Sequence, residues 1–130
     1  MPGSIDDYFQ SVLILISDSP LINSSNVVMD KRTLRLGMIR GDLYFNNGSR
    51  LHFRELIEVL AESVERFMYS YHYQDSQGIL IFRYDDTPHF PELNGFPHHK
   101  HTPENVSPAG EIDLESVLRE IKEGYPLQSD

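Results

Sequence analysis

Three histidines and a lysine fall within four residues at Pro97-His98-His99-Lys100-His101, and a fourth histidine, His89, precedes them in the same proline-punctuated stretch. If this piece is extended, as Pro97 and Pro103 encourage, His99 and His101 project to one side, with His98 and Lys100 opposite. Two imidazoles on one side suit a shared acid and base role in breaking a phosphodiester, because ring pKa values near neutrality let one give and one take a proton. They equally suit two ligands of a divalent metal. A lone histidine is most simply a solvated surface residue; three in four residues, behind a fourth, point to function.

Just upstream lies Arg83-Tyr84-Asp85-Asp86, the exit of an alternating segment. Arg83 and Asp85 share one face of a strand. They form either a structural ion pair or a phosphate-binding guanidinium beside a carboxylate that orients a histidine. Arg83 or Lys100 would then neutralise charge developing on a phosphate oxygen. The expected site has His99 and His101 as acid and base, with His89 or Asp85 orienting them. Arg83, Lys100, His98 and Tyr84 hold the substrate, and no metal or cofactor is assigned. The alternative is a metal-dependent nuclease or hydrolase using His89, His98, His99 and His101. Asp85, Asp86, His89 and Glu92 match no established metal spacing. His72 faces away from a tyrosine row and can approach Arg83 across a hairpin, whereas His52 reads as ordinary strand surface. A Gly-rich phosphate loop, a GxSxG elbow, a His-Glu-x-x-His helix and cysteine-based zinc spacing are all missing from the sequence.

The elements that must position these residues follow from periodicity. Ser4 precedes Asp6 and Asp7 as a helix N-cap would, and Ile5, Phe9, Val12, Leu13 and Ile16 keep helical spacing until Pro20, so residues 1–20 are assigned a helix. From Thr33 the period becomes two, with Leu34, Leu36 and Met38 on the apolar side. Gly41-Asp42 is assigned a turn, and Asn47-Gly48 a type I′ hairpin turn before Leu51 and Phe53. Residues 54–64 fit strand or helix; a strand to about Val59 agrees with its neighbours. Phe67, Tyr69, Tyr71 and Tyr73 alternate, Asp75-Ser76-Gln77-Gly78 turns, and Ile79 to Tyr84 returns. The tyrosine row reads as core and cross-strand packing before a base-stacking platform. Asp113 caps a last helix carrying Leu114, Val117, Leu118 and Ile121. The expected fold is α+β in one domain. An antiparallel meander of four or five strands (33–86) leads into a Pro/His-rich loop (87–110), flanked by the N-terminal helix and a C-terminal helix (111–126).

Composition narrows the setting. The chain has 130 residues, 39% of them hydrophobic, and no cysteine, so disulfide and thiol chemistry are excluded. No signal peptide or membrane-spanning run is evident, and a cytoplasmic location is expected. The net charge of −9 argues against indiscriminate nucleic-acid binding. That charge sits at the ends: residues 1–30 carry Asp6, Asp7, Asp18 and Asp30 without a cation, and residues 103–130 are likewise acidic, while the middle is neutral. The acidic ends leave open a non-enzymatic module that binds a basic partner.

The ordered series Tyr71-His72-Tyr73-Gln74-Asp75, Ile79 to Asp86, Pro88-His89, Pro91-Glu92-Leu93 and Phe96 to His101 resembles the TumE-type toxins of prokaryotic toxin–antitoxin systems. The resemblance covers roughly residues 69–102 and departs from the family pattern at Asp86-Thr87. It implies a toxin neutralised by a cognate antitoxin of helix-turn-helix type. It implies no reaction; the residue chemistry points to RNA cleavage without a required cofactor. Self-association through an exposed sheet edge is a further expectation.

Overall fold

Ser4 starts the first helix. Its backbone is extended and its hydroxyl accepts from the Asp7 amide at 3.2 Å, while Asp6 and Asp7 place negative charge on the first turn. Helix α1 (Ile5–Ser17) then buries Ile5, Phe9, Val12 and Ile16 along one stripe. The computed structural model describes residues 3–86 and 98–124.

Seven strands follow among the described residues: β1 (Ile22–Lys31), β2 (Leu36–Phe45), β3 (Arg50–Val59), β4 (Val64–Gln74), β5 (Leu80–Asp85), β6 (His99–His101) and β7 (Val106–Pro108). Every strand pairs antiparallel with its neighbour in sequence, giving one sheet in the order β1 to β7. Helix α2 (Leu114–Gly124) follows the sheet, its Ser116 amide held by the Asp113 side chain at 2.9 Å. The fold is α+β, an antiparallel meander with a helix at each end, and its sheet has seven strands where four or five were expected.

The structure corrects several expectations. Strand β1 precedes the predicted start of the sheet at residue 33. It is an edge strand exposed on nearly every side chain, so it carries no apolar alternation to read. Gly41-Asp42 is no turn, because β2 runs through it as one ten-residue strand with Gly37, Ile39, Gly41, Leu43 and Phe45 inward. Leu34 is exposed, and Leu36 and Met38 lie on the other face, opposite to the expected phase. The glycines are there for closeness: a Cβ on Gly37 would lie 2.7 Å from Ile5 Cγ1, and one on Gly41 would lie 2.8 Å from the Asn26 carbonyl oxygen. Residues 99–101 and 106–108 are short strands within the span expected as loop, too brief to show a period.

The hairpin at Asn47-Gly48 is present, but Gly48 alone has positive φ (86°), so the turn is not type I′. Asn47 instead accepts from the Ser49 amide at 2.9 Å. Residues 54–59 are strand, ending at Val59 as the alternation with neighbouring strands implies.

Both helices pack on the same face of the sheet. Leu51, Phe53, Ile57, Val59, Tyr69, Tyr71, Tyr73, Phe82 and Tyr84 point towards them and join one core with the two helical stripes. Within it lies a fully buried carboxylate, Glu55. Tyr8 of α1 donates to Glu55 Oε1 at 2.5 Å, and Tyr71 donates to Oε2, so Glu55 ties α1 to the centre of the sheet. Burial pushes the Glu55 carboxyl above its ordinary range, against the opposing pull of the two tyrosine hydroxyls and the Arg66 charge. A carboxyl raised by folding adds stability that is full below its unfolded pKa, about 4.3, and is lost as pH rises through its folded value. Glu55→Gln is therefore expected to flatten the fall in melting temperature between acid and neutral pH. Glu55→Leu strands two buried hydroxyls at a cost on the order of 1–3 kcal/mol each, measurable by denaturant unfolding.

Candidate active site on the outer sheet face

With both helices on one side, the alternate side chains of each strand point to the opposite, outer face. Register then sets them in rows. Asn26, Asp42, His52, His72, Arg83 and His101 are successive cross-strand partners from β1 to β6. One step along the strands, Arg54, Ser70, Asp85 and His99 form a second row across β3 to β6.

Asp85 is the hub. Its Oδ1 lies 2.7 Å from His99 Nε2, its Oδ2 accepts from Arg83 Nε at 2.8 Å, and the same oxygen lies 3.7 Å from His101 Nε2. The two imidazole rings meet edge-on at 4.8 Å. Exposure divides these four residues. Asp85 and His99 are buried, at 3% and 2%, whereas the side chains of His101 and Arg83 keep 26% and 36% of their surface. A buried imidazole locked on a carboxylate can hold its neighbours but cannot readily meet a large substrate; an exposed one can.

The sequence candidates thus separate. Arg83, Asp85, His99 and His101 come together on the outer face. Tyr84, Lys100 and His98 do not, because alternation sends them to the helix side. Tyr84 donates to Glu120 of α2 at 2.6 Å, and Lys100 Nζ lies 2.9 Å from the other oxygen of that carboxylate, 5.1 Å over the Tyr84 ring. His98 stacks on Tyr69, with Nδ1 2.7 Å from the tyrosine hydroxyl. These three fasten α2 and the strand ends. His89 lies outside the described residues. Of the alternative metal set of His89, His98, His99 and His101, the structure puts His98 on the face opposite to His99 and His101.

A different trio, Asp85, His99 and His101, has its ligand atoms within 4.8 Å of one another. Two imidazoles and a carboxylate are a donor set that suits a divalent cation. Arg83 opposes it, since its guanidinium already holds Asp85 Oδ2 and sets a fixed positive charge beside the position.

Other polar residues of the face are joined to it by register. Asp42 Oδ1 accepts from Arg50 Nε and Nη2 at 3.0 and 2.7 Å and lies 3.0 Å from His52 Nδ1. Burial would raise the Asp42 carboxyl, but the Arg50 and His52 hydrogen bonds and charges outweigh it and hold it below its ordinary value. His52 is thus partnered, not ordinary surface. The clue was the polar half of the β3 alternation, Arg50, His52 and Arg54, whose meaning depends on register. His72 does reach Arg83 across the hairpin, with Nδ1 3.4 Å from Nη1. Burial, followed by the charges of Arg83, His52 and Arg50, lowers the His72 pKa, so its ring favours the neutral form.

This arrangement defines a class, a one-sided antiparallel sheet carrying a His/Arg/Asp cluster on its outer face. A family model described as toxin TumE matches residues 12–125, and the chain belongs to that family. Membership makes it a toxin of the toxin–antitoxin type and implies an antitoxin partner. No curated protein and no solved structure matched. Among the described residues no helix is long and apolar enough to cross a membrane.

The site's electrostatics are open to direct measurement. In an NMR titration the His72 ring is expected to have its midpoint below the ordinary 6.5, and Arg83→Gln should move it upward. A midpoint that ignores the Arg83 substitution would contradict this picture.

Proposed function

We propose that this toxin cleaves RNA through the 2′-hydroxyl, without a metal, at the outer-face row His72–Arg83–His101. The observation that carries the reading is the order of those three residues in directly paired positions of adjacent strands. Adjacent strands lie roughly 4.8 Å apart, so two imidazoles flank a central guanidinium over about 10 Å. An in-line displacement at phosphorus needs that geometry, with a base on the attacking side, an acid on the leaving side and positive charge between.

A guanidinium has no acceptor, so the Nδ1 of His72 that faces Arg83 is the acceptor nitrogen of a neutral ring. When Arg83 turns from this nitrogen to the phosphate, the freed lone pair takes the proton from the 2′-hydroxyl. The oxygen attacks phosphorus, Arg83 holds the non-bridging oxygens, and His101 gives a proton to the departing 5′-oxygen. The products are a 2′,3′-cyclic phosphate and a 5′-hydroxyl. Asp85 and His99 position Arg83 and His101. The role of base, expected for His99 or His101, thereby passes to His72, because His99 is buried on Asp85. A cytoplasmic setting and an antitoxin of helix-turn-helix type complete the proposal.

A second reading, a hydrolytic metal centre at Asp85, His99 and His101, is favoured by the closeness of their ligand atoms. One assay separates the two. Purified toxin is incubated with cellular RNA, with and without chelator, beside His72→Ala and His101→Ala. The proposal expects chelator to change nothing and each substitution to slow cleavage by about 10²–10⁴-fold. Activity abolished by chelator and restored by zinc or manganese would support the metal centre instead. Full activity in both variants would refute the first reading.

A further inference from the structure

On the outer face Arg40 of β2 and Arg54 of β3 stand directly opposite each other. Like charges in that position repel and weaken a strand pair. Both side chains are exposed, and among the described residues neither has an ion pair or a side-chain hydrogen bond. The acids nearest them on this face are committed elsewhere. Asp42 holds Arg50 and His52, and Asp30 holds Arg32 at 3.2 Å. A sheet with ordinary surface duties gains nothing from two facing, uncompensated guanidiniums.

Their position gives them a use. Arg54 is followed across the sheet by Ser70, Asp85 and His99, so the arginine pair sits in the row adjoining His72, Arg83 and His101. Arg40 also lines a shallow cleft with Asn26, Val28, Asp42 and His52. Tyr44, 39% exposed on the same face, lies beneath the Arg50 guanidinium at 5.9 Å. Around the proposed catalytic row Arg40, Arg50, Arg54 and Arg83 face Asp42 and Asp85, although the whole chain carries −9, while Asp30, Glu58 and Glu65 lie further along the strands on the same face. Acidic residues such as Asp6, Asp7, Glu115, Glu120 and Glu123 lie on the two helices across the sheet. The two rows that hold Arg54 and Arg83 are thus a locally cationic part of an anionic protein, where a polyanion is drawn in.

We propose that Arg40 and Arg54 form a second phosphate subsite, which holds the backbone of a single-stranded RNA running across the strands from β2 to β6. This rests on the RNA reading of the His72–Arg83–His101 row and adds the substrate's form. The guanidinium pair engages phosphate oxygens beyond the scissile bond, and the repulsion between the two arginines is relieved only when that anion arrives. Exposed Tyr44, on the far side of the Asp42–His52 row from the arginine pair, suits stacking of an unpaired base, which a duplex does not offer.

The test uses a single-stranded oligonucleotide with 2′-deoxyribose throughout, which the proposed chemistry cannot cut. Binding to the intact protein is followed by fluorescence anisotropy over a series of salt concentrations. The comparison is wild type, Arg40→Gln with Arg54→Gln, and a control with Arg119→Gln and Lys122→Gln on α2. The outer-face double variant is expected to bind about tenfold more weakly at low salt. Its slope of log affinity against log salt should be shallower by about 1.4, for two phosphate contacts at roughly 0.7 each. The control should match wild type, and melting of the outer-face variant should be unchanged or higher, since a repulsion is gone. Equal affinity and slope in the three proteins, absence of binding by wild type, or preference for duplex would each overturn the subsite. Intact strand binding by wild type without cleavage of ribose-containing RNA would overturn the catalytic reading and leave the subsite standing.

Discussion

The site depends on one constraint, the next-neighbour register across β2 to β6 in a sheet that has both helices on one face. A strand alternates sides with period two, so a slip of one residue would send Asp85 and Arg83 into the core and turn Tyr84 and Phe82 outward. The register is secured where chain segments approach most closely. Gly37 and Gly41 let Ile5 and the β1 backbone sit against β2 at distances that any side chain would forbid. Glu55 then pins α1 to β3 and β4 through Tyr8 and Tyr71. Glu120 pins α2 to β5 and β6 through Tyr84 and Lys100.

The two faces consequently do different work with the same kinds of residue. On the helix side, histidine, lysine and tyrosine are fasteners: His98 is stacked on Tyr69 and Lys100 is held by Glu120. On the outer side, carboxylates are hubs that aim cations and imidazoles outward, Asp85 for Arg83, His99 and His101, and Asp42 for Arg50 and His52. Adjacent residues of β6 therefore have unlike fates. His99 and His101 join Asp85, while Lys100 between them belongs to the packing of α2.

How much of this was legible in the sequence follows from what period and spacing encode. Helix α1, the β4–β5 hairpin and α2 have strong local patterns, and the sequence places them correctly. The grouping of His99 with His101, apart from His98 and Lys100, follows from alternation alone. Strand β1 was hidden because an exposed edge needs no apolar face. The phase of β2 is masked because Gly41 reads as a turn former and Gly37 falls opposite the apolar residues of the alternation, whereas both serve as small core residues. Asp42, His52 and the Arg40–Arg54 pair are joined by the register of neighbouring strands, which periodicity does not fix, whereas the approach of His72 to Arg83 is readable from the hairpin that joins β4 and β5. The family resemblance supplied the biological setting; the rows on the outer face supplied the chemistry proposed for it.

The most direct measurement is the chemical identity of the ends left when the purified toxin cuts a defined RNA in the presence of chelator. The account predicts a 2′,3′-cyclic phosphate on one fragment and a 5′-hydroxyl on the other, and no cut where the nucleotide 5′ to the scissile phosphate lacks its 2′-hydroxyl. Fragments ending in 3′-hydroxyl and 5′-phosphate, or cleavage at a deoxy position, would contradict it.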